Sequence, residues 1–251
     1  MHMDVRVQSA GPTEPFLGAR DLFTTEHDLA LPVDVHVRDN PDSRTWTAHY
    51  DDHHVLNISR QAANSAMARP LALHEYSHMR RHETDHPSHV QSTREALYLA
   101  LAGHSVERRT LTQCYQIANH MKDIYADDIT LSVAPADRLV AFLESSLAAA
   151  LADRPADPPS WTRLTPAADP EITAVNAAFA LALLERHDCI DDDHRLYDLA
   201  HAAANDAAGI ELAAFKRRFR ELVADPDDGE YRRALVEATR EYATRTNHAA
   251  D

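Results

Sequence analysis

Residues 71–83 read LALHEYSHMRRHE, and the histidines at positions 74 and 78 constrain the chain more than any other feature. Side chains four residues apart on an α-helix lie about 40° apart around its axis, so both imidazoles reach one metal ion when this stretch is helical. Glu75 then projects beside such an ion rather than at it, where a carboxylate can take a proton from metal-activated water. His74, Glu75 and His78 thus satisfy His-Glu-x-x-His. Pro70 suits the first turn of the helix, and Leu71 and Leu73 give it an apolar approach.

The segment ahead of this helix has a different period. A short helix is predicted over 15–27. Val33, Val35 and Val37 then alternate with polar residues, as do Trp46, Ala48 and Tyr50, and again His54, Leu56 and Ile58. Asp51-Asp52 is a turn signal between the last two runs, which predicts a hairpin. Ser59 reads as the N-cap of a helix over SRQAANSAMA. Downstream, helices are predicted from Thr93 to about Ala102, from about Thr112 to Asp127, and over 136–152, where Leu139, Leu143, Leu147 and Leu151 share a face. The stretch ADRPADPPSWTRLTPAADP holds five of the thirteen prolines and no apolar period. Beyond it Leu212, Phe215, Phe219 and Leu222 form one helical stripe, and Tyr231, Leu235, Ala238 and Tyr242 another. The expected fold class is α+β: a domain over 1–152 with a small mixed or antiparallel sheet, a Pro-rich linker over 153–170, and a helical C-terminal domain over 171–251.

The pentapeptide resembles that of the zincin metallopeptidases, and the resemblance covers about residues 30–130. The resemblance implies a zinc-dependent peptidase, with Zn2+ held by His74 and His78, Glu75 as general base, and a peptide or protein as substrate. It also implies an edge strand that pairs with an extended substrate, for which His54–Ser59 is the candidate. Arg80 departs from the pattern, standing where zinc peptidases usually place an apolar residue.

Such a centre needs a third protein ligand and an open position. A histidine six residues after His78 would make the chain metzincin-like, but that position is Thr84. Glu95, seventeen residues after His78, matches the glutamate zincins, which draw a ligand from a following helix. Asp123 lies in ANHMKDIYADDI, where Asn119, Asp123 and Asp127 recur every four residues on one helix face. That segment resembles the Asn-x-x-x-Asp helix of less studied zincin-like families, in which the aspartate completes the site. Asp127, Asp128 and the loop histidines His82, His86 and His89 are further donors in reach of the motif. Tyr115, His120 and Tyr125 are candidates to stabilise an oxyanion.

Composition narrows the setting. The net charge is −15, lysine occurs only at Lys122 and Lys216, and acidic runs such as Asp191-Asp192-Asp193 punctuate an alanine-rich chain. Chains of this kind resemble those of halophilic archaea, whose dispersed carboxylates hold hydration in concentrated salt. An acidic surface argues against nucleic acid as a partner. No apolar run is long enough to span a membrane and no signal segment is evident, so a cytoplasmic location is expected. Cys114 and Cys189 are too few for a disulfide framework, and Cys114 reads as a buried helix residue rather than a nucleophile. Five glycines form no phosphate-cradling loop. The alternative to a peptidase is a catalytically inactive zincin fold acting as an interaction or regulatory module.

Overall fold

In the computed structural model, residues 3–8, 11–41, 43–153, 169–207 and 209–248 are described. The chain forms two compact units, Met1–Val90 with Tyr125–Arg138, and Gln91–Ile124 with Leu139–Asp251. Residues 154–168, most of the expected Pro-rich linker, fall outside the described residues. No described helix is long and apolar enough to cross a membrane.

The first unit is a small mixed sheet backed by helices. Strands β1 (Val5–Val7), β2 (Val33–Arg38), β3 (Trp46–His49) and β4 (His54–Ser59) lie in the order β1-β2-β4-β3. β1 and β2 are parallel and joined through helix α1 (Glu14–Phe23), as a parallel pair requires a crossover. β2 and β4 are parallel over six residues, from Val33 opposite His54 to Arg38 opposite Ser59. β3 returns antiparallel on β4, the predicted hairpin. β1 was not foreseen, because three residues carry too little alternation to stand out.

The structure corrects the choice of edge strand. β4 has neighbours on both sides and all six of its residues are buried, which is why its alternation is only apparent. The edges are β1 and β3, and Trp46 of β3 is 48% exposed. Ser59 caps helix α2 (Arg60–Ala63), its hydroxyl accepting from the Ala62 amide at 3.1 Å. α2 stops after one turn, short of the expected length. There the Asn64 side chain donates to the Arg60 carbonyl and the Ser65 hydroxyl to that of Ala62, so both compete with helix continuation.

Helix α3 (Ala68–Glu83) carries the motif and packs on α1 and the sheet. Phe16, Phe23, Val33, Val35, Leu56, Ile58, Leu73 and Tyr76 form one core with Ile129. Each fully buried side chain of this size contributes about 1.5–3 kcal/mol, against about 0–1 for an exposed ion pair, so this core holds the unit together. The Tyr76 hydroxyl donates to the Phe16 carbonyl at 3.2 Å, satisfying its one polar atom. Burial pushes the Tyr76 phenol well above its ordinary value.

A polar cluster ties the sheet to the end of α3. His54 is wholly buried, its Nε2 3.1 Å from Glu83 Oε1 and its Nδ1 3.1 Å from His49 Nδ1. Glu83 also accepts the amides of Ala30 and Leu31, each at 2.8 Å, fixing the approach to β2. His82 stacks on His49 with ring centroids 4.0 Å apart.

The second unit is helical: α5 (Thr93–Leu101), the first part of α6 (Arg108–Val133), most of α7 (Asp137–Ala152), then α8 (Pro170–Arg186), α9 (Arg195–Asn205), α10 (Leu212–Arg220) and α11 (Asp228–His248). Leu147 of α7 is buried with Leu181, Leu184, Leu196 and Ala200 of α8 and α9, which places α7 with the helices after the proline-rich stretch. Asp169 caps α8 by accepting the Glu171 amide, and it also takes the Arg109 guanidinium at 2.7 Å and the Gln113 amide. Gln113 in turn accepts from Tyr242. These side chains explain why early α6 groups with the C-terminal helices, and Arg240 of α11 ties in α5 by donating to the Ala100 carbonyl at 3.2 Å. Cys114 donates to the Thr239 carbonyl at 3.7 Å, and burial pushes its thiol up to about 12, so it is an inert core residue.

Burial holds the His54 imidazole below its ordinary value of 6.5 against the opposing pull of Glu83, with His82 and His53 adding to the lowering. Burial and Arg80 lower His27 as well. The unfolded chain takes up these protons near 6.5 while the folded chain resists them, so stability is lost as pH falls through that value. Denaturant unfolding should show stability declining from about pH 7 to about pH 5, with a shallower decline in a His54→Gln variant. An unchanged slope would remove His54 as a cause.

Candidate metal centre

The two faces of α3 divide the work. Ala72, Leu73, Tyr76 and Met79 are buried, while His74, His78 and His82 follow one another at four-residue intervals on a half-buried side. Glu75 is 6% exposed. The C-terminal turn of α3 then redirects the chain. Asp85 adopts a left-handed φ of 52°, its amide donating to the His82 carbonyl at 3.0 Å and the following His86 amide to that of Arg81 at 2.9 Å. This paired closure is the Schellman arrangement. It folds the short helix α4 (Pro87–Val90) back against α3, carrying Ser88 and His89 to His78.

The ring nitrogens meet in a definite pattern. His74 Nε2 and His78 Nε2 are 3.0 Å apart. His74 Nδ1 lies 2.6 Å from Asp127 Oδ1, and His78 Nδ1 lies 2.7 Å from His89 Nε2. Asp127 comes from the part of α6 that belongs to the first unit. That part is fixed to α3 by two further bonds: Ser77 Oγ to Thr130 Oγ1 at 3.0 Å, and Arg81 Nε to the Tyr125 carbonyl at 2.8 Å. Asp123 stands one turn earlier on the same unbroken helix. Donor atoms of His74, His78 and Asp123 all lie within 4.8 Å of one another.

This arrangement fits a tetrahedral metal. Two nitrogen ligands about 2.0–2.1 Å from zinc stand roughly 3.3 Å apart, close to the separation of the two Nε2 atoms. The Nδ1 of each ring is engaged by a partner, which orients the imidazole and frees Nε2 for the ion. Two histidines and a carboxylate are a hydrolytic zinc donor set that leaves a fourth position open.

Of the two carboxylates considered from the sequence, Asp123 lies with the histidines. Glu95 is exposed in the first turn of α5, where its amide meets the Ser92 cap, and it is not a member of the group. Asp128 is also outside the group. His82 is occupied by its stack on His49. Tyr125 is buried with its ring 4.7 Å from that of His86, and Tyr115 is 38% exposed. His120 stacks on Phe179 with its Nε2 2.7 Å from Asn176 Oδ1, and its Nδ1 is 3.7 Å from Asp123.

Two supporting residues were not assigned from the sequence. Asp127 was named only as a spare ligand, although its four-residue offset from Asp123 puts it on the same face. His89 was named only as a further donor, because the left-handed turn at Asp85 that returns it to His78 has no glycine to mark it.

Over residues 3–244 the chain matches the family described as "Family of unknown function (DUF5781)", and it belongs to that family. No curated protein and no solved structure matches it.

Metal analysis should give about one zinc per chain, lost in His74→Ala, His78→Ala and Asp123→Ala variants and kept in Glu95→Ala. Retention by Asp123→Ala with loss by Glu95→Ala would reverse the assignment of the third ligand. A β-branched residue at Asp85 should cost about 1–2 kcal/mol, because the left-handed region excludes it, whereas Asp85→Gly should be tolerated. Equal unfolding midpoints for Asp85→Val and the wild type would remove that turn as a determinant of the fold.

Proposed function

We propose that the chain is a zinc-dependent peptidase of zincin type, with His74, His78 and Asp123 as metal ligands and Glu75 as general base. The observation that carries the reading is the convergence of three metal-binding groups next to a buried carboxylate on one helix. Zinc held there would supply Lewis acidity, polarising a scissile carbonyl and acidifying water toward neutrality.

The chain's own residues have distinct tasks. Asp127 and His89 orient the two imidazoles through their Nδ1 atoms. Glu75 follows His74 directly, at the position from which a carboxylate takes the proton of the attacking water and passes it to the leaving amine. Its low exposure keeps bulk water from competing for that proton.

The sheet supports a peptide as substrate. Among the described residues β3 pairs only with β4, leaving one side of its backbone for an added strand. His49 of β3 stacks on His82, one turn beyond His78, so the open edge runs alongside the motif helix. An extended peptide added to β3 would pass the metal ligands.

A Glu75→Gln variant should keep its zinc and lose at least about 100-fold in hydrolysis of a mixed peptide library, the usual range for a lost general base. Undiminished turnover would end the role given to Glu75. A wild type that holds zinc without exchange and cleaves no peptide would favour a closed structural site.

A further inference from the structure

We infer that His89 is the positioning residue of His78, and that Ser88 and His86 behind it fix the proton pattern that puts the His78 lone pair on Nε2 before any metal arrives. The inference rests on the metal-centre reading and concerns what prepares that centre. A continuous series of contacts carries it. His78 Nδ1 is 2.7 Å from His89 Nε2, His89 Nδ1 is 2.7 Å from Ser88 Oγ, and Ser88 Oγ is 2.7 Å from His86 Nδ1. The backbone amide of Ser88 also donates to His86 Nδ1, at 3.3 Å.

That amide sets the direction of the whole series, because a backbone N–H can only donate. His86 Nδ1 is therefore the lone-pair nitrogen of its ring. The Ser88 hydroxyl, facing the same lone pair, donates its proton there and accepts from His89 Nδ1–H. A neutral His89 protonated at Nδ1 has its lone pair on Nε2, which accepts from His78 Nδ1–H. The last link leaves the His78 lone pair on Nε2, directed at His74. His86 and Ser88 are 5% and 0% exposed, so water does not offer an alternative set of partners.

His74 reaches the same state by a shorter route, since Asp127 accepts from its Nδ1–H and its lone pair also lies on Nε2. The two lone pairs then face each other across 3.0 Å, an arrangement that asks for a cation between them. His78 is the member of the pair that depends on a relay of neutral groups.

The test uses the full chain and zinc alone as the probe, with affinity read by competition against a chromophoric chelator. His89→Leu should weaken zinc binding by about 10- to 100-fold, the range for losing a partner behind a metal-bound histidine. His89→Gln, whose amide oxygen can accept from His78 Nδ1–H, should restore most of that loss. A purely packing role for His89 would not distinguish the two variants in this way. Histidine-selective nitrogen NMR of the metal-free wild type should show His89 protonated at Nδ1. Wild-type affinity in His89→Leu, equal loss in His89→Gln, or an Nε2–H form of His89 would overturn the inference. Should His89→Leu fail to fold, Ser88→Ala replaces it: weakened binding at an unchanged melting temperature supports the relay, and unchanged affinity overturns it. A wild type that binds no zinc at all would instead sink the metal centre itself.

Discussion

The crossing of α3 and the second part of α6 is the contact on which the rest of the first unit's chemistry depends. A carboxylate as buried as Asp127, at 3% exposure, needs a donor, and the imidazole of His74 provides it. The same crossing pairs the Ser77 and Thr130 hydroxyls and sets Arg81 on the Tyr125 carbonyl. Ser77 and Thr130 are short polar side chains at positions where bulky apolar ones would hold two helices apart. Around them Ile129 joins the apolar core and supplies most of the energy, while the polar contacts fix the register of one helix on the other. That register places Asp123, one turn along α6, with His74 and His78.

The degree to which this was legible varies with how local each determinant is. The motif helix, the three alternating runs and the Ser59 cap depend on spacings within ten residues, and each lies where the sequence puts it. The edge strand was misassigned because alternation reports only that a strand has two different faces. It does not say how many neighbours a strand has, and His54 passes for a polar, outward residue until Glu83 and His49 are found beside it. Asp123 and Asp127 were visible as a pair. Their different partners followed only from where α6 crosses α3.

Helix ends hid the remainder. Asp85 and Asp188 both take left-handed conformations after α3 and α8, with φ of 52° and 51°. Each closes a carbonyl left open by its helix through the amide of the next residue. Glycine commonly holds such positions and would have announced them, but the chain has five glycines in all. Aspartate, among the few other residues that tolerate this region, blends into a chain where acidic residues are everywhere. The unit division was obscured similarly. It cuts through α6, where no break in the apolar pattern marks it, since what groups the helices is the burial of Leu147 and the clamp on Asp169.

The abundance of histidine, seventeen in the chain, makes it necessary to ask why one cluster reads as a metal centre and another does not. Proton arithmetic separates them. At His54 the Nε2–H is given to the Glu83 carboxylate, leaving a lone pair on Nδ1 that faces His49 Nδ1 and can take its proton. Both ring nitrogens of His54 meet protein partners, and burial lowers its pKa, which favours the neutral ring. At His74 and His78 the inferred proton pattern commits both Nδ1 atoms as donors, to Asp127 and to the His89 relay, so that lone pair faces lone pair. The first arrangement binds strand to helix. The second brings the carboxylate of Asp123 to two ring nitrogens that face each other, the grouping on which the proposed metal centre rests.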